Sequence, residues 1–68
     1  MDIETKEAVL KLAGCRVVDV DGGKYPGSLR WRVMYPELKM ALSQNEYRSE
    51  AISIAYQNYL HHVVNKLS

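Results

Sequence analysis

The chain has 68 residues, 47% hydrophobic and 25% charged, which is the make-up of one small globular domain spanning 1–68 with no room for a second. Nine basic against eight acidic residues leave a net charge of +1, too balanced for a disordered tail or for a global attraction to nucleic acid or membrane, and a single cysteine excludes an internal disulfide. The apolar runs are only a few residues long and the start Met1-Asp2-Ile3-Glu4-Thr5 has no basic, apolar leader, so the expected location is cytoplasmic, without membrane attachment.

From Ile3 to Ala13 the residues Ala8, Val9, Leu12 and Ala13 fall at helical spacing, Asp2 is placed to cap, and Gly14 stops the run. Glu4 and Glu7 in the early turns and Lys11 in the last suit the helix dipole. Cys15 to Val20 is rich in β-branched side chains and ends in the turn cluster Asp21-Gly22-Gly23, so it reads as a strand; its facing stays open, because Val17 and Val18 point opposite ways in any register. Breakers in Lys24-Tyr25-Pro26-Gly27 imply a long loop. From Ser28 to Tyr35 the alternation is clean, with Leu29, Trp31, Val33 and Tyr35 on one face and Arg30, Arg32 and Met34 on the other. Trp31, the largest apolar group of that face, is expected to be buried.

Pro36 ends this run. Leu38, Met40 and Leu42 then alternate as in a third strand, although Leu38, Ala41 and Leu42 equally fit a helical turn opened by Pro36. Ser43-Gln44-Asn45-Glu46 matches a capping box, which predicts a long helix from there to about Lys66. The expected fold class is α+β: helix, three-stranded antiparallel sheet and long C-terminal helix, with both helices packed on one sheet face.

The long helix is apolar over a wider arc than one sheet can cover. Either the first helix takes the surplus, or an edge made of Tyr56, Tyr59, Leu60 and Val64 stays open for a partner protein or a second copy of the chain. Tyrosine, with large apolar area and a polar tip, suits such an edge.

Catalytic chemistry is poorly supplied. Cys15 stands at a helix-to-strand junction far in sequence from both histidines, and His61 and His62 are helix neighbours that point about 100° apart, unlike the i, i+4 pair that shares a metal. Asp19-Val20-Asp21 opens like a calcium loop, but Lys24 stands where glycine is required and Arg30 where the bidentate acid belongs. No enzyme, cofactor or metal site is expected.

The cations suggest a second reading. Arg30, Arg32 and Lys39 would project from the sheet face opposite Trp31, a patch able to meet phosphates. Over the whole chain, the helix, three strands and helix in this order and length resemble the double-stranded RNA-binding domain. That resemblance implies contacts from the first helix, from the loop around Lys24 beside Tyr25-Pro26-Gly27-Ser28, and from Arg48 within Tyr47-Arg48-Ser49-Glu50-Ala51. The segment from Leu29 to Leu60, with Ala51, Ala55 and Tyr56 on its helix, is similar to the arm-site DNA-binding domains of tyrosine recombinases. That second resemblance implies DNA reading through Arg30, Arg32 and Lys39. The leading expectation remains a small non-enzymatic regulator or inhibitor acting through its C-terminal helix, with nucleic-acid binding as the alternative.

Overall fold

The computed structural model describes residues 1–20 and 30–67. Along them run α1 (Ile3–Leu12), β1 (Arg16–Asp19), β2 (Trp31–Tyr35), a 3-10 turn (Pro36–Leu38), β3 (Met40–Asn45) and α2 (Arg48–Leu67), an α+β arrangement. The loop expected around Lys24 and the strand start at Ser28 and Leu29 lie outside the described residues.

Local chemistry accounts for α1 at both ends. Asp2 is extended (φ −81°, ψ 171°), and its Oδ1 accepts the Thr5 N–H at 2.8 Å, satisfying one of the orphan donors of the first turn. At the other end Gly14 takes φ 91°, a value open to glycine at little cost. This lets the Gly14 N–H reach the Lys11 carbonyl at 3.0 Å and the Cys15 N–H reach that of Leu10 at 2.9 Å, the paired closure of a Schellman motif.

The sheet has the order β1-β2-β3, with β2 antiparallel to both neighbours. Cross-strand partners share a face, so Val17, Val33 and Ser43 lie on one side and Val18, Arg32 and Gln44 on the other. The facing of β1 is thereby settled: Val17 packs against the core and Val18 turns away. Both readings of the stretch after Tyr35 are partly realised. Pro36 opens a single 3-10 turn, Lys39 closes it in the left-handed region (φ 54°), and the strand begins at Met40. A register shift opposes Val33 to Ser43 but Met34 to Ala41, and the intervening Leu42 turns into the core, where it is 6% exposed.

The capping box is not used. Ser43 to Asn45 continue β3, and α2 starts at Arg48, later than the sequence signal predicts. Pairing with β2 holds the Ser43 backbone in the ladder and points its side chain to the core face, where Oγ donates to the Ala51 carbonyl at 2.6 Å. Asn45 takes over at the entry, its Oδ1 accepting the Tyr47 N–H at 3.0 Å.

The core consists of Leu10, Cys15, Val33, Tyr35, Leu42, Ala51, Ile52 and Ala55. Ala51 and Ala55, both fully buried, let α2 approach the sheet closely, and Asn58 Nδ2 donates to the Leu42 carbonyl at 2.6 Å. Trp31 is on the expected side but is half-buried rather than enclosed, packing against the core from its rim. The guanidiniums of Arg30 and Arg48 stand 5.3 and 5.8 Å from its ring centroid, and these partly exposed cations border the indole where an apolar side chain would enclose it.

Candidate interaction surfaces

The expected interface edge of α2 divides in two. Tyr56 and Tyr59 are half-buried against the core: Lys6 Nζ lies 5.8 Å above the Tyr56 ring, and Tyr59 meets Tyr35 edge-on at 6.0 Å between centroids. Tyr35 itself donates its hydroxyl to Glu37 Oε2 at 3.1 Å and packs at 89° to the His62 ring. Burial and the neighbouring Glu37 carboxylate both push the Tyr35 phenol up from its ordinary value.

Leu60 and Val64 turn outward instead, 37% and 62% exposed. With Gln57 and His61 they line a shallow groove along α2, a spacing of three and four that places all four on one side of the helix. Leu67, 83% exposed, extends the stripe by one more turn. The sequence pattern places Leu67 on the same apolar arc, seven residues beyond Leu60, although not in the expected contact edge.

The cations expected to form one patch are held in different places. Arg30 donates through Nε and Nη2 to Asp19 Oδ2 at 3.1 and 2.7 Å and lies over Trp31. Arg48 grips Glu7 of α1 with two parallel bonds of 2.8 and 2.7 Å, and Lys11 adds a contact to the same carboxylate at 3.1 Å. The Arg48 hydrogen bonds, opposed by burial and aided by Lys11, hold the Glu7 carboxyl down at about 2. Lys39 stands exposed in the β2–β3 turn, and Lys24 lies outside the described residues. Arg32 occupies the open sheet face, together with Arg16, which sequence reasoning did not single out.

Cys15 is buried, and desolvation pushes its thiol up, away from the thiolate that acts as a nucleophile. Among the described residues no three His, Cys, Asp or Glu side chains gather as metal ligands, and no helix is long and apolar enough to cross a membrane. Comparison with protein-family models, with curated proteins and with solved structures found no match.

Proposed function

We propose that this protein is a small non-enzymatic regulator that acts by occupying a surface of another protein, with the outward flank of α2 as its contact edge. One observation carries the reading: Leu60, Val64 and Leu67 stand exposed in a row on a helix whose opposite side already closes the core. Such a row, rimmed by Gln57 and His61, has the apolar centre and polar border of a protein-binding patch. Tyr56 and Tyr59 support the edge from behind, and self-association through the same flank is the nearest variant. The nucleic-acid reading is less well supplied, since Arg30 and Arg48 are already engaged by Asp19 and Glu7.

The reading is tested with Leu60→Asp and Val64→Asp, which alter exposed positions and should leave the melting temperature nearly unchanged. Cross-linking in the source lysate followed by reconstitution of the pure pair should give a stoichiometric complex, or sedimentation a homodimer, that either substitution abolishes. A strict monomer with the same cross-linked partners in parent and variants would overturn it.

A further inference from the structure

The side of the sheet away from the helices has no covering element among the described residues. By register it presents two cross-strand rows, Arg16, Met34 and Ala41 in one and Val18, Arg32 and Gln44 in the next. Two cations and no carboxylate stand in these rows, and none of the ion pairs of the described residues uses Arg16 or Arg32. A solvated sheet face would keep its guanidinium donors in water. Here Arg32 Nε is cut off from solvent and has no hydrogen-bond partner among the described residues. A buried donor left unmade is costly, and more so on a charged group, so the side chain stands ready for an acceptor that the described residues do not provide.

We propose that this face is a second docking surface, independent of the α2 flank, for an extended acidic segment of a partner protein in which carboxylates and aliphatic side chains take turns at every second residue, so that both kinds face the sheet. Arg32 takes one carboxylate side-on, through Nε and a terminal nitrogen after a turn of its side chain, and Arg16 takes the next. Val18, Met34 and Ala41 receive the aliphatic groups between them. Charge complementarity selects the acidic partner, and the planar guanidinium fork suits carboxylate geometry. The composition favours a peptide over a nucleic acid: no aromatic ring stands in the two rows for a base to stack on, and two arginines would hold only about two phosphates.

The test is fluorescence anisotropy with a labelled peptide in which glutamate and valine take turns at every second residue with serine between them, its glutamine-for-glutamate counterpart and a labelled DNA duplex. The parent should bind the glutamate peptide saturably. Affinity should fall about tenfold or more in Arg16→Gln/Arg32→Gln, several-fold in Arg32→Lys, which keeps the charge but lacks the fork, and not at all in Leu60→Asp. Amide chemical-shift changes on titration should centre on Val18, Met34 and Ala41. Circular dichroism of each variant checks that the fold is retained. Absence of saturable binding, equal affinity for the glutamine peptide, full affinity in the folded double variant, shifts confined to α2, or tighter binding of the duplex through the same arginines would each overturn the proposal.

Discussion

At Trp31 three side chains meet in one stack, an indole and the two guanidiniums that lie over its ring. Each guanidinium is held by a carboxylate from a different element, Asp19 of β1 for Arg30 and Glu7 of α1 for Arg48. Fixing the cations in this way removes much of the entropy that an exposed cation–π contact must overcome, so the ring contributes more than its half-burial alone suggests. Trp31→Ala should therefore cost about 2–4 kcal/mol, below a fully enclosed tryptophan but well above a surface site. Urea denaturation measures it, and a loss under about 0.5 kcal/mol would show that the stack is decorative. Neither arginine's engagement was legible in the sequence, because their carboxylates stand 11 and 41 positions away and nothing local marks the pairing.

Among the elements, the ends of α1 were legible from adjacent residues, but its buried side was not: Leu10 enters the core, whereas Leu12, at the expected apolar spacing, is exposed. Asp2 and Gly14 bound α1 because cap and stop are decided by a few adjacent backbone groups. The facing of Val17 and Val18 and the start of α2 were not legible, because each depends on pairing with β2, whereas the inward facing of Leu42 followed from its alternation with Ala41. Ser43 shows the conflict most plainly: a good capping sequence lost to a strand ladder that satisfies the same backbone with its neighbour. The entry to α2 accordingly rests on Asn45, and Asn45→Ala should lose about 1 kcal/mol whereas Glu46→Ala should stay within about 0.5 kcal/mol of the parent. Equal denaturation midpoints for the two would argue against this entry. The β2–β3 turn offers the opposite effect. Lys39 sits at φ 54°, where a β-carbon is strained, so Lys39→Gly should stabilise by up to about 1 kcal/mol, visible as a raised melting temperature.

For the molecule as a whole, the junction between the helices depends on Glu7. Its side chain is 15% exposed, the partner Arg48 is 44% exposed, and the carboxyl is held at about 2 in the fold against an ordinary 4.5. A carboxyl depressed on folding stabilises the native state fully above its unfolded value and loses that contribution as pH falls through the folded one. The helix junction should thus weaken between roughly pH 5 and pH 2 as Glu7 takes up a proton and releases Arg48. Because Arg48 is partly in water, screening reduces the effect, and Glu7→Gln should cost about 1–2 kcal/mol at neutral pH. A chain of this size buries only about 60% of its unfolded surface, so a change of that order is a large fraction of its stability. Urea midpoints of parent and Glu7→Gln across pH 7 to 2 provide the measurement. The gap between them should be widest at neutral pH and should close as the parent approaches pH 2, with amide exchange in α1 rising before that in the sheet. A gap that stays constant down to pH 2 would mean that Glu7 is not the group linking α1 to α2.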